Sequence, residues 1–366
     1  VDIKATNGNI SITGVNVTLR NLNAGGAIDV ISDFATSASD GVLNLYGDIS
    51  GTGGVTFAGG NETLDAVLYN NVNLTTTNSM ISFDTDTLDG AYTLNISSGS
   101  GNVTLGVIGS NTPLAALDVN TTGTATLNGD ITTTGNLDLG GVGTITIANN
   151  IGLTTRNGDI RVNGTNGVVG GAFDLTLASS SGDLYIGTVG GGITGIIAST
   201  GSEAYLSGNI TTAAPGSGID MSGVGTIVLD SNVVMTSNGA NIDLGSTNST
   251  SITESGNRTL SLVAGVGTIT LDNVDVTTLT ITSGAANVLY GNINVDNAVN
   301  FANAGNTTLG ADVNVTTSND AVTFAAIDGG FDLGIDAGNA LLTLGAIGQT
   351  TPVASLTTSS GTVALN

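Results

Sequence analysis

Short runs of alternating apolar and small polar residues recur along this chain. Val103-Thr104-Leu105, Ala125-Thr126-Leu127, Thr144-Ile145-Thr146-Ile147 and Leu279-Thr280-Ile281 are examples. A period of two places every second side chain on one face, so each run predicts a short strand with one buried side. Thr, Val and Ile suit a pleated surface because their branched side chains pack well there. Helical periodicity is nearly absent, as are the long polar residues that usually cover exposed helix faces. The runs are separated by turn chemistry: Asn7-Gly8, Asp89-Gly90, Asn157-Gly158, Asn163-Gly164 and Asn238-Gly239. Gly and Asn accept positive φ, which lets the chain turn sharply at these points. Asn-Gly also fits an antiparallel hairpin, so the local pattern leaves hairpin and coil both open.

A longer period chooses between them. Leu-Tyr-Gly-Asp-Ile at 45–49 returns as Leu-Asn-Gly-Asp-Ile at 127–131, Leu-Ser-Gly-Asn-Ile at 206–210 and Leu-Tyr-Gly-Asn-Ile at 289–293. Its glycines, Gly47, Gly129, Gly208 and Gly291, are 82, 79 and 83 residues apart. A second landmark reads Asn71-Val72-Asn73-Leu74-Thr75-Thr76, Asn150-Ile151-Gly152-Leu153-Thr154-Thr155, Asn232-Val233-Val234-Met235-Thr236-Ser237 and Asp312-Val313-Asn314-Val315-Thr316-Thr317. A third is an apolar strand end followed by Gly or Asp. Its closest copies are Leu105-Gly106-Val107-Ile108-Gly109-Ser110-Asn111-Thr112-Pro113 and Leu344-Gly345-Ala346-Ile347-Gly348-Gln349-Thr350-Thr351-Pro352. Landmarks that share one long period indicate a stacked repeat architecture. The expected fold is all-β: a parallel β-helix with coils of about 20 residues, four to each repeat of about 80 and about eighteen in all. One continuous solenoid is expected over 1–366, with units at roughly 1–46, 47–128, 129–207, 208–290 and 291–366. Val1 falls inside a unit and Asn366 stops where the next Gly-Asp-Ile would begin, so the chain reads as a portion of a longer repeat protein.

Composition narrows the function classes. Of the 366 residues, 40% are hydrophobic and only 9% charged, against roughly 25% in ordinary soluble domains. Aromatic residues make up 4% with no Trp, so a core would be filled by aliphatic rows. The net charge is −24, with Lys4, Arg20, Arg156, Arg161 and Arg258 as the whole basic complement. So few cations can displace few counterions from phosphates, which argues against nucleic acid as a partner and against adhesion to anionic lipid. No stretch approaches the roughly 18–20 apolar residues needed to span a bilayer as a helix. The absence of Cys rules out disulfides and thiolate chemistry. The absence of His removes Ser-His-Asp and Cys-His systems and His-ligated metals.

The pattern Thr-Leu-Gly-x-Ile-Gly-x-x-Thr-Pro-Leu-Ala-x-Leu at 104–117, followed by Thr121-Thr122-Gly123-Thr124, resembles repeats of large bacterial exoproteins of the filamentous-haemagglutinin and autotransporter types. The resemblance extends through the repeats over essentially the whole chain. It implies a right-handed β-helix, export to the bacterial cell surface or the extracellular space, and a non-catalytic role as the shaft of an adhesin or fibre. Partners would be glycans or proteins of a host or neighbouring cell, with self-association into fibres through strand edges left open at coil ends.

Candidate chemistry is sparse. Asp84, Asp86 and Asp89 in Phe83-Asp84-Thr85-Asp86-Thr87-Leu88-Asp89-Gly90 alternate so that their oxygens could converge on one calcium ion. The set lacks a later bidentate Glu and does not recur in the other units. A solvated turn is the plainer reading of the same residues. A calcium- or glycan-binding module on the same solenoid is the alternative function. A carbohydrate-active β-helix enzyme would need grouped carboxylates, for which these three aspartates are the best set. The triplet Gly190-Gly191-Gly192 precedes no Gly-Lys-Ser/Thr and reads as a turn.

Overall fold

The structure is a computed structural model that describes residues 2–32, 41–59, 64–245 and 250–366. The fold is a parallel β-helix of about 16 coils and about 22 residues per turn, with essentially no helix among the described residues. The chain divides into two compact units, Val1–Asp183 and Leu184–Asn366, and each has the same construction.

In the first unit each turn contributes to three parallel sheets. The first sheet passes through Ile3–Ala5, Leu22–Ala24, Ile49–Gly51, Val72–Thr76 and Thr93–Gly99. The second passes through Ile10–Thr13, Ile28–Ser32, Val55–Gly59 and the start of Ile81–Asp89. The third passes through Asn16–Leu19, Gly41–Leu45, Leu64–Leu68 and the end of Ile81–Asp89. The second unit repeats this plan. Its first sheet includes Val224–Leu229, Ser251–Glu254, Asn273–Val276, Ile293–Val295, Val313–Thr317 and Asp332–Asp336. Its second includes Ile210–Thr211, Val233–Thr236, Thr259–Val263 and Thr278–Ser283, and its third Gly218–Asp220, Ile242–Leu244 and Thr268–Leu271.

Alternation sets the inside and the outside. Ile151–Thr155 and Leu64–Leu68 each bury every second residue. The buried residues stack in register: Ile49 over Leu74 and Leu74 over Ile96, or Ile108 over Ile131 and Ile131 over Leu153. Each fully buried aliphatic side chain contributes about 1.5–3 kcal/mol relative to exposure. Two aromatic pairs share the interior: Phe57 with Phe83 and Phe301 with Phe324, each with ring centroids 4.6 Å apart.

The structure bears out the expected parallel β-helix and refines its coil. A turn holds about 22 residues rather than 20, and there are about 16 turns rather than eighteen. A repeat of about 80 residues therefore spans between three and four turns and does not close on a whole coil. In the first unit Ile49 lies in the first sheet while its repeat counterpart Ile131 lies in the third. In the second unit Ile210 lies in the second sheet and Ile293 in the first. Each repeat thus returns the landmark to a different side of the coil. One local departure is a 3-10 turn at Phe301–Ala304. Beside it Asn287 occupies an interior position between Ile269 and Thr307 and donates from Nδ2 to the Phe301 carbonyl at 2.8 Å.

Candidate functional site

The landmark residues come together as one repeated arrangement. The Gly-Asp/Asn-Ile strand of every repeat lies directly beneath the Leu-Thr-Thr/Ser strand of the next turn. Ile49 pairs with Leu74, Ile131 with Leu153, Ile210 with Met235 and Ile293 with Val315. The side chain before each isoleucine reaches across the turns. Asp48 Oδ1 accepts the Asn73 N–H at 2.9 Å, Asp130 Oδ1 that of Gly152 at 2.7 Å, Asn209 Oδ1 that of Val234 at 2.9 Å and Asn292 Oδ1 that of Asn314 at 2.9 Å. The first residue of the second landmark does the same one turn later. Asn71, Asn150, Asn232 and Asp312 accept from the N–H groups of Thr93, Asp174, Thr259 and Asp332 at 2.9–3.0 Å. Asp and Asn interchange at both positions because the site uses only an acceptor oxygen.

The last hydroxyl of the second landmark closes the corner from within. Thr76, Thr155, Ser237 and Thr317 are buried, and each donates to the carbonyl three residues ahead at 2.5–2.6 Å. A buried carbonyl left without a donor is costly, so a small hydroxyl is required there. The landmark glycine answers to crowding. A Cβ on Gly208 would lie 2.5 Å from the Thr188 nitrogen, and one on Gly291 2.5 Å from the Asn273 nitrogen.

The proposed calcium loop falls in the strand Ile81–Asp89. The side chains of Asp84 and Asp86 lie outside the described residues. Asp89 is 7% exposed. Its Oδ1 accepts the N–H groups of Asn111 and Thr112 at 3.0 and 2.9 Å, and its Oδ2 accepts Asn111 Nδ2 at 3.1 Å. A cation at Asp89 would have to displace those donors. The same device stands beneath the other copy of the Thr-Pro loop, where Asp328 Oδ1 accepts from Thr350 and Thr351 at 2.8 and 3.0 Å. Asp328 has no role in the sequence reading. Its signal is Asp-Gly, present at 89–90 and 328–329, about one turn before each loop. Among the described residues no group of three or more acidic side chains is placed to hold a metal ion.

Two further features face outward. Aspartates stack in register as Asp118 on Asp138 and Asp220 on Asp243. Burial, then the charge of Asp138, raises the Asp118 carboxyl above its ordinary value. Burial is also the largest cause for Asp243; the Gly245 N–H opposes the rise and Asp220 adds to it. Asp138 differs from Asp243 in having a cation beside it, with Arg161 Nε 3.8 Å from its carboxylate. In the second unit, an open groove of about 560 Å³ runs over the first sheet, with Asp312, Asp332 and Asp336 on its walls and Gly334 in its lining. Gly190-Gly191-Gly192 forms an exposed turn, with Gly191 and Gly192 at φ 66° and 101°.

In comparisons with known proteins, the chain matches no family model, no curated protein and no solved structure. What the landmark arrangement does chemically is accept and donate hydrogen bonds between successive turns.

Proposed function

We propose that this chain is a non-catalytic structural solenoid, the shaft of an extracellular fibre or bacterial cell-surface adhesin. One observation carries the reading: the residues that define the repeat are used in joining each coil to the next. Asp48, Asp130, Asn209 and Asn292 hold the turn above, and their aliphatic neighbours form the interior stack. A sequence selected for a reaction would keep its special residues for a cleft, whereas here the recurring ones are spent on propagation of the coil. The low charge content and the resemblance of the Thr-Leu-Gly-x-Ile-Gly repeat to large exoproteins support the same reading. The adhesive contact itself would lie on outward turns or on segments that the shaft presents.

Immunogold labelling of the producing cells tests this. Label on filaments or on the outer surface is the expected result. Label confined to the cell interior would overturn the proposal. A screen of the purified chain against acidic and neutral polysaccharides is expected to release no product.

A further inference from the structure

The chain has six tyrosines, and four of them form two face-to-face pairs. Tyr46 and Tyr69 lie with ring centroids 4.7 Å apart and planes 5° from parallel. Tyr185 and Tyr205 lie 5.0 Å apart at 8°. Each pair joins consecutive turns: Tyr185 and Tyr205 are register partners on neighbouring strands, and the Tyr69 N–H bonds the Leu45 carbonyl next to Tyr46. The phenylalanine pairs lie inside, with Phe57, Phe83 and Phe301 at 0% exposure. The tyrosine pairs face outward; Tyr69 is 41% exposed and the other three are half-buried. Interior stacking explains the phenylalanines. It does not explain paired phenols that a small oxidant can reach.

We propose that Tyr46–Tyr69 and Tyr185–Tyr205 are sites of oxidative dityrosine formation, each stapling one coil to the next. Each phenol gives one electron and its hydroxyl proton to a peroxide-driven one-electron oxidant. The two phenoxyl radicals couple through the ring carbons ortho to oxygen. Both ortho hydrogens leave those carbons and the phenolic oxygens are reprotonated. The net change consumes one hydrogen peroxide, makes one carbon–carbon bond and yields two waters. Proximity makes coupling within a pair effectively unimolecular. The second pair also carries its own base: the Tyr205 hydroxyl donates to the Glu203 carboxylate, which can take the proton as the electron leaves. In a chain without cysteine, such a bond is a covalent route to locking adjacent turns.

The test treats the full 366-residue chain at low protein concentration with hydrogen peroxide and a haem peroxidase, followed by digestion and peptide mass mapping. The expected products are monomers in which the peptides bearing Tyr46 and Tyr69, and those bearing Tyr185 and Tyr205, are joined with loss of two hydrogens. Tyr69→Phe should abolish the first link only and Tyr205→Phe the second only. Phenylalanine keeps the ring stack, so these variants preserve the fold. Glu203→Gln should slow the second link several-fold relative to the first; an equal rate would remove Glu203 from the chemistry. Links involving Tyr92 or Tyr290 as often as the stacked residues, links only between molecules, or no dityrosine where free tyrosine couples readily would overturn the proposal.

Discussion

At the scale of single residues, the interchange of Asp and Asn is the most informative detail. Asp130 holds the Gly152 N–H across a turn at 2.7 Å, and Asn209 does the same for Val234. If the acceptor oxygen is what matters, Asp130→Asn is expected to change stability by less than about 0.5 kcal/mol, while Asp130→Ala should cost about 1–2 kcal/mol by leaving a backbone donor unmade. Urea unfolding of the three proteins separates the cases. Equal losses in both variants would show that the negative charge itself is used. The positions were legible in the sequence as the Gly-Asp/Asn-Ile landmark. Their partners were not, because Gly152 is 22 residues beyond Asp130 and nothing local to either links them. Asp89 illustrates the same gap. Its spacing from Asp84 and Asp86 fits a cation loop, yet its carboxylate lies beneath the N–H groups of Asn111 and Thr112.

At the scale of the strand, stacking in register turns a sequence coincidence into an energetic one. Asp220 and Asp243 stand 23 positions apart in the chain and side by side in the third sheet. Thr270 lies beyond Asp243 and Ile197 beyond Asp220, so neither neighbour in the row brings a cation. Both carboxylates also serve their own turns: Asp220 Oδ1 accepts the Ser222 N–H at 3.0 Å and Asp243 Oδ1 that of Gly245 at 3.2 Å. The Asp243 pKa is raised on folding, by burial foremost. The folded chain therefore holds the Asp243 proton more tightly than the unfolded one. That contribution to stability is complete below the unfolded value, about pH 3.9, and is lost as pH rises through the folded value. Asp243→Asn keeps the acceptor for Gly245 and discards the charge. It is expected to unfold at higher denaturant than the parent at about pH 7 and to converge with it below about pH 3.9. A variant less stable than the parent at neutral pH would show that the Asp220–Asp243 contact is not repulsive.

At the scale of the whole molecule, charge is the dominant long-range quantity. A net charge of −24 repels itself in dilute buffer, and salt shortens the reach of that repulsion from about 30 Å at 0.01 M to about 8 Å at 0.15 M. Thermal unfolding is expected to move upward over that range of NaCl. Calcium chloride and magnesium chloride at matched ionic strength should give the same midpoint. An excess stabilisation by calcium that grows with its concentration would support Asp84, Asp86 and Asp89 as a cation loop.

The sequence by itself determined that the chain is built of short one-sided strands, that they recur with a period near 80 residues, and that Gly, Asn and Asp mark the turns. These properties are local or periodic, and both kinds are written directly in the order of residues. The tertiary structure alone decided how many residues close one turn, because that depends on three strands and three corners meeting at once. With about 22 residues per turn, Ile49 meets Leu74 and Asp89 meets Asn111. The repeat period is not a multiple of the coil, so no reading of the period could have said which residue lies above which. Contact between successive turns follows the geometry of closure, and through it every acceptor, hydroxyl and ring acquires its partner.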